Sequence, residues 1–191
     1  MGISDILWQN MRRMQKVGVC MREAILSYRN LLEQDVEHIC AFPQNEVESF
    51  YAAPKIRYPW TPDQMMNVAA QRRSLTVIAD AEDRPIAYSN LYDFELETGC
   101  CWLGNVLVSP AHRGQAVAPY LVEVMMNRAR DEHGCTRMKL YCHNTNTRAL
   151  LLYSKLGFRP CGSKVVLNHE GQRVVAIEME KNLMASPVAS S

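Results

Sequence analysis

The sequence lacks the features that mark membrane proteins and nucleic-acid-binding proteins. No apolar run approaches the roughly 18 residues that a membrane-spanning helix needs, and residues 1–20 lack the unbroken apolar core of a secretory signal. Twenty-one basic residues are balanced by twenty acidic ones, which leaves a formal charge of +1 and no basic stripe. We therefore expect a cytoplasmic protein with neither a membrane nor a nucleic acid as its partner.

Paired-cysteine motifs are missing as well. The seven cysteines are an odd number without CxxC spacing, in a chain of 191 residues that needs no disulfides to fold. We interpret them as reduced and mostly buried thiols, and we expect no metal site.

The composition fits one globular domain. The chain has 191 residues, of which 48% are hydrophobic. This length is enough for one complete core and too short for two domains. We expect the domain to span residues 21–183, followed by a disordered tail at residues 184–191. Residues 1–20 form an extension that is either a short amphipathic helix, suited to a homodimer contact, or a frayed segment.

Hydrophobic periodicity predicts alternating strands and helices. Strands are predicted at residues 24–28, 74–79, 85–92, 101–108, 137–142, 158–167 and 174–180, and helices at 33–40, 61–72, 119–133 and 146–156. This order predicts a mixed α/β (α+β) domain, in which helices flank one sheet of about six to seven strands.

The connection between the strand at 101–108 and the next helix is the first candidate site. Its sequence is Arg113-Gly114-Gln115-Ala116-Val117-Ala118. Backbone N–H groups at a helix N-terminus favour anions, and the small residues Gly114, Ala116 and Ala118 let a phosphate approach the backbone. Packing in a tight strand-to-helix connection explains the same small residues, so this loop alone leaves both interpretations open.

A second motif distinguishes between these interpretations. The loop belongs to the pattern Val-x-Pro-x-x-Arg-Gly-x-Ala-x-Ala, and Asn-x-x-Ala-x-x-Leu-Tyr-x-Lys-x-Gly-Phe begins 28 residues after Ala118. Together, in this order and spacing, they resemble the GNAT superfamily of acyl-CoA-dependent N-acetyltransferases. The resemblance implies a centrally splayed sheet, with acetyl-CoA as cofactor and coenzyme A as product.

The resemblance also implies roles for individual residues. The loop Arg113 to Ala118 would bind the cofactor pyrophosphate through backbone N–H groups. Leu107 and Val108 would contact the pantetheine arm, together with Asn146, and Tyr153 would lie at the thioester sulfur. One position departs from the family pattern, because glycine is usual where this chain has Ala116.

Acetyl transfer from a thioester to an amine requires an amine that loses a proton, a donor for the developing oxyanion, and a proton or hydrogen bond for the leaving thiolate. Tyr153 suits the last task as a general acid, because a phenol stays protonated at neutral pH. A backbone N–H near Leu107 or Val108 suits the oxyanion.

The general base is the least defined part of the predicted site. Asn105 is the only polar side chain within its strand and is expected in the same pleat row as Cys101, Leu103 and Leu107, where it would position a water or amine or satisfy a backbone group. His143 is the best titratable candidate, since imidazole titrates near neutrality. Further alternatives are Tyr92, Glu95, Glu97 and bulk water.

The acceptor is expected to be a primary amine, either of a small metabolite or of a protein. The aromatic segment 42–60 would shape the acceptor pocket or, equally, close the core beneath a loop. A non-catalytic acyl-CoA-binding sensor of the same fold is the alternative function, favoured by Ala116 and by the missing strand glutamate.

Overall fold

The computed structural model describes residues 26–95 and 97–184. Within them the strands are β1 Ser27–Asn30, β2 Arg73–Ala79, β3 Pro85–Glu95, β4 Cys100–Val108, β5 Arg137–His143, β6 Arg159–Leu167 and β7 Arg173–Asn182. The helices are α1 Val36–Cys40, α2 Glu46–Ala52, α3 Pro62–Ala69, α4 Val117–His133 and α5 Thr147–Lys155, with short 3-10 turns at Glu33–Asp35 and Pro110–His112. None of these helices is long and apolar enough to cross a membrane.

The strands form one sheet in the order β1-β2-β3-β4-β5-β7-β6. Every neighbouring pair is antiparallel except β4 and β5, which run parallel. The predicted mixed α/β fold is confirmed. The predicted extension at residues 1–20 and the predicted tail beyond Met184 lie outside the described residues.

The sheet opens at its centre, between β4 and β5. These strands pair only over Cys100, Cys101 and Trp102 of β4, and then separate. Each strand stays attached to its outer neighbour, since β4 pairs with β3 as far as Val108 and β5 pairs with β7 as far as His143. The opening is therefore a gap between two intact half-sheets.

A β-bulge in β4 lies beside this gap. Asn90 of β3 is opposite Gly104, whereas Tyr88 is opposite Leu107, so β4 contains one extra residue between these pairs. Asn105 takes up the bulge with a left-handed φ of 51°.

The bulge corrects the predicted pleat row of β4. An extra residue reverses the alternation of side chains between the two faces of a strand. Leu103 accordingly packs in the core beneath α4, whereas Leu107 packs with Val77 and Tyr88 in a second core on the opposite face. Leu103 and Leu107 therefore do not share a face.

Different helices cover the two faces of the sheet. Helices α4 and α5 cover the face that carries Leu103, Met138 and Leu140. The other face is covered by α1, by α3 and by the segment around α2, which include the buried Ile39 and Met65. We call this second face the acceptor face, after the role predicted for the aromatic segment 42–60 that packs on it.

Helix α2 is absent from the sequence-based prediction. Asn45 caps it by accepting a hydrogen bond from the Glu48 N–H at 2.9 Å, and the Glu48 carboxylate accepts one from the Gln44 N–H at 2.8 Å. The Asn-x-x-Glu spacing in the sequence therefore marks the start of this helix. The predicted capping box of α3, Thr61 with Gln64, is present, but α3 ends at Ala69 and not near residue 72.

Candidate active site

The gap between β4 and β5 forms a cleft of about 1070 Å³. The predicted site residues that line it are Tyr153, Asn105, His143, Leu107, Val108, Arg113, Gly114, Ala116, Val117, Ala118 and Asn146. Gln115 does not line the cleft, and its side-chain amide donates a hydrogen bond to the Ala111 carbonyl oxygen. The structure thus brings both sequence motifs to one cavity.

The loop at one end of the cleft presents backbone N–H groups. Helix α4 begins at Val117, two residues before its predicted start, and Ala116 caps it in a left-handed conformation without a side-chain hydrogen bond. Within the described ranges, the N–H groups of Gly114, Gln115 and Ala116 have no protein acceptor. A Cβ atom on Gly114 would have no heavy atom within 4 Å, so the loop leaves room beside its backbone. Free donors and open space fit a diphosphate.

The Arg113 side chain ties this loop to the acceptor face. Its guanidinium forms a two-point ion pair with the Glu48 carboxylate at 2.8 and 2.9 Å, and it also donates to the carbonyl oxygens of Phe42 and Val108. Burial alone would raise the pKa of Glu48, but hydrogen bonds from Arg113 and from the Gln44 N–H bring this pKa below its usual value. We call this contact the Arg113–Glu48 clasp. Most N–H groups of the Arg113 guanidinium are therefore hydrogen-bonded to protein acceptors.

Tyr153 lies on α5, in the wall of the cleft. Its ring is 7% exposed and packs edge-on against Phe158 at 5.8 Å between centroids. Burial raises the pKa of the Tyr153 hydroxyl above its usual value, and the neighbouring Cys142 adds to the effect. Tyr153 is therefore a neutral phenol with a proton to donate at physiological pH.

Asn146 caps α5 and borders the same cleft. Its side-chain oxygen accepts a hydrogen bond from the Ala149 N–H at 3.2 Å. The side-chain NH2 group is the part of this amide that remains for a ligand.

Asn105 has both ends of its side-chain amide engaged. Its oxygen accepts a hydrogen bond from Asn90 at 2.7 Å, and its NH2 group donates to the Ala52 carbonyl oxygen at 2.9 Å. The second bond joins the bulge of β4 to the end of α2. Of the two roles predicted for Asn105, satisfying a backbone group is the one for which the structure provides a partner.

His143 ends β5 on the acceptor face. It is 5% exposed and stacks against Phe50 and Tyr51, with ring centroids 4.3 and 5.8 Å away. Burial lowers the pKa of His143 below its usual value, and the positive charge of Lys164 lowers it further. The imidazole is thus kept neutral, the form that accepts a proton.

The aromatic segment 42–60 divides between the core and the cleft. Phe42 and Trp60 are buried in the core of the acceptor face, whereas Phe50 and Tyr51 line the cleft.

Of the alternative bases, Tyr92 lines the cleft, but burial raises its pKa to about 12. Glu95 and Glu97 do not line it, because the hairpin that carries them extends beyond the site.

Sequence reasoning missed several polar side chains of the cleft. Arg72, Asp93 and Lys164 all line it on the acceptor face. Arg72 follows α3, Asp93 lies in an irregular part of β3, and Lys164 belongs to β6, so no local motif joins them.

Known proteins share this architecture. A model of the acetyltransferase (GNAT) family matches residues 36–158. The spermidine N-acetyltransferase from Vibrio cholerae, solved with CoA and spermine, is similar with a TM-score of 0.70 and 19% identity over 83% of this chain and 95% of that chain. An N-acetyltransferase from Staphylococcus aureus Mu50 is similar with a TM-score of 0.69 and 15% identity, over 83% of this chain and 99% of that chain. A candidate phosphinothricin N-acetyltransferase is similar with a TM-score of 0.70 and 20% identity, over 83% of this chain and 99% of that chain.

The left-handed backbone at Ala116 predicts the sign of a stability change. That conformation costs an L-residue about 1–2 kcal/mol, of which about 0.5–1 kcal/mol is offset by the greater freedom of glycine in the unfolded chain. We expect Ala116→Gly to raise the free energy of unfolding by about 0.5–1 kcal/mol in denaturant titrations. The control Ala118→Gly, inside the first turn of α4, should lower it, and equal losses in both variants would contradict the assigned conformation.

Proposed function

Because this chain belongs to the acetyltransferase (GNAT) family and is an acyltransferase, we propose that it moves an acetyl group from acetyl-CoA to a primary amine within a ternary complex. The observation that carries this proposal is the opening of the sheet between β4 and β5. The cleft there reaches from the free N–H groups of the loop to the acceptor face. A donor and an acceptor can therefore meet inside it from opposite sides.

The donor half of the cleft suits acetyl-CoA. The N–H groups of Gly114, Gln115 and Ala116 would hold the diphosphate, at the positive end of the α4 dipole. Beyond Trp102, the edge of β4 that faces β5 has no partner strand, which leaves backbone at Leu107 and Val108 for the amides of the pantetheine arm. The six cysteines in the described part of the chain are free thiols, in keeping with the cytoplasm as the proposed compartment.

Acetyl-CoA supplies a thioester carbonyl carbon that an uncharged amine can attack. As the new C–N bond forms and the C–S bond breaks, negative charge develops first on the carbonyl oxygen and then on sulfur. Backbone N–H donors at Leu107 or Val108 would stabilise the first charge, and the Tyr153 hydroxyl would donate to the second. The raised pKa of Tyr153 means that the hydroxyl keeps its proton until the thiolate forms.

The proton released by the amine needs an acceptor near the acceptor face. We assign this role to His143, because burial keeps its imidazole neutral and because it lies in the cleft wall between Phe50 and the end of β5. Asn105, with its amide engaged on both sides, would act as a positioning residue that holds the bulge against α2.

The proposed reaction is tested by following thiol release from acetyl-CoA with a panel of primary amines. We expect release that depends on the amine and yields the acetylated amine in equal amount by mass spectrometry. Tight acetyl-CoA binding by calorimetry, without release for any amine, would instead identify a non-catalytic acyl-CoA sensor.

The hydroxyl of Tyr153 provides a direct test of the leaving-group role. We expect Tyr153→Phe to lower kcat by about 10- to 100-fold while the acetyl-CoA affinity changes little, because a phenol that donates only to the departing sulfur acts after binding. Tyr28→Phe is the matched control, since Tyr28 lies on the edge strand β1 and does not line the cleft. Unchanged turnover in Tyr153→Phe would remove this residue from the mechanism.

The environment of His143 predicts a pH dependence. A base with a lowered pKa stays competent at neutral pH and loses its lone pair only as the pH falls through that pKa, below the usual value of about 6.5. With an acceptor amine that is already uncharged in this range, kcat/KM should fall on this acidic limb. The limb should disappear in His143→Gln and persist in His38→Gln, which changes an exposed histidine on α1. An identical limb in both variants would exclude His143 as the base.

A further inference from the structure

Arg72 is a half-buried cation without an ion-pair partner among the described residues. It lies in the cleft wall between α3 and β2, and its guanidinium carbon is 4.0 Å from the centroid of the Tyr92 ring. Its Nε atom is buried and has no hydrogen-bond acceptor within residues 26–95 and 97–184. A guanidinium removed from water in this way gains from an anion, and its planar fork matches a carboxylate.

Lys164 is a second cation in the same wall without an ion-pair partner among the described residues, and it is exposed. Its ammonium nitrogen is 3.7 Å from the centroid of the Tyr141 ring, and no carboxylate of the described chain pairs with it. Lys139, which lies over the neighbouring Trp102 ring, is neutralised instead by Glu178 at 3.0 Å. The charges of Arg72 and Lys164 are therefore available to a ligand on this side of the cleft.

A row of aromatic rings connects these two cations. Tyr92, Trp102 and Tyr141 lie on β3, β4 and β5, with neighbouring ring centroids 6.1 and 4.7 Å apart. Arg72 covers one end of this row and Lys164 the other. The Tyr92 ring also packs against Gly104, where a Cβ atom would lie 3.1 Å from it. Arg72 is thus held next to the bulge of β4.

The remaining charged groups of the cleft leave an excess of positive charge. The cleft is lined by the cations Lys55, Arg72, Arg113, Arg148 and Lys164 and by the carboxylates Glu48 and Asp93. Arg113 and Glu48 neutralise each other in the clasp, so Asp93 is the one acidic group left among the described lining residues. Part of this charge suits the phosphates of CoA, whereas Arg72 and Lys164 lie on the acceptor face, where they disfavour a polycationic acceptor and favour an anionic group.

We propose that the acceptor is a small amine that also carries a carboxylate, with Arg72 as the residue that binds this carboxylate. Lys164, at the other end of the row of rings, attracts the anion without contacting it. This inference specifies the substrate class of the proposed acetyl transfer and rests on it. The carboxylate would accept two parallel hydrogen bonds from the Arg72 guanidinium. This contact would hold the amine at the bulge of β4, facing the thioester.

The test compares amines that differ only in the anionic group. Thiol release is measured with L-amino acids, with their carboxamides, with their decarboxylated amines, and with spermidine as a polycation. For the best acceptor we expect kcat/KM to fall about tenfold or more when the carboxylate becomes an amide, as for loss of a hydrogen bond to a charged group. Equal or faster release with the amides or spermidine would overturn this inference and leave the acetyl transfer standing.

Variants of Arg72 and Lys164 test which residues cause the preference for a carboxylate. Arg72→Gln and Lys164→Gln should each reduce the preference for the carboxylate, mainly by raising KM, and Arg72→Lys should keep part of it. Arg73→Gln is the matched control, because Arg73 lies 5.0 Å over the Phe94 ring and does not line the cleft. A preference that persists in both Gln variants would overturn the inference, and thermal unfolding of each variant separates loss of recognition from loss of fold.

A binding measurement keeps the inference testable without turnover. Calorimetry of the CoA-bound protein compares N-acetyl amino acids with N-acetyl amino acid amides. We expect tighter binding of the carboxylates, by about tenfold, and loss of this difference in Arg72→Gln. If no amine supports thiol release, the proposed function fails by itself. Equal binding of both products would instead overturn the inference about Arg72.

Discussion

The separation of β4 from β5 is the constraint on which the rest of the site depends. Two parallel strands that stop pairing after three residues expose backbone N–H and C=O groups that need partners. The structure tolerates this because each strand keeps its outer partner strand, and because the bulge at Asn105 is hydrogen-bonded to β3 and to the end of α2. A ligand with amides of its own can satisfy the inner edges.

The order of elements and the position of the loop that begins α4 could be predicted from the sequence because they depend on local patterns. Alternating and helical periodicities identify β2 to β7, α4 and α5 within a few residues. The loop and the motif around Tyr153 each have a local signature. The 28-residue spacing between Ala118 and Asn146 allows both motifs to meet at one cleft.

The acceptor face could not be predicted in the same way. Arg72, Lys164 and the stacked rings come from separate elements, and only strand register and the early end of α3 bring them together. The extra residue in β4 has no sequence signal of its own, yet it reverses the face on which Leu107 lies. Helix α2 was missed because its aromatic residues obscured the Asn45 cap.

The Arg113–Glu48 clasp gives an arginine of the donor motif a structural task. Its guanidinium supports α2, and α2 in turn provides Phe50 and Tyr51 to the acceptor side. The loop Arg113 to Ala118 and the cleft wall formed by α2 are therefore joined by one ion pair. In evolutionary terms, a change in α2 that removes the carboxylate of Glu48 also removes the ion pair that ties this helix to the loop at the start of α4.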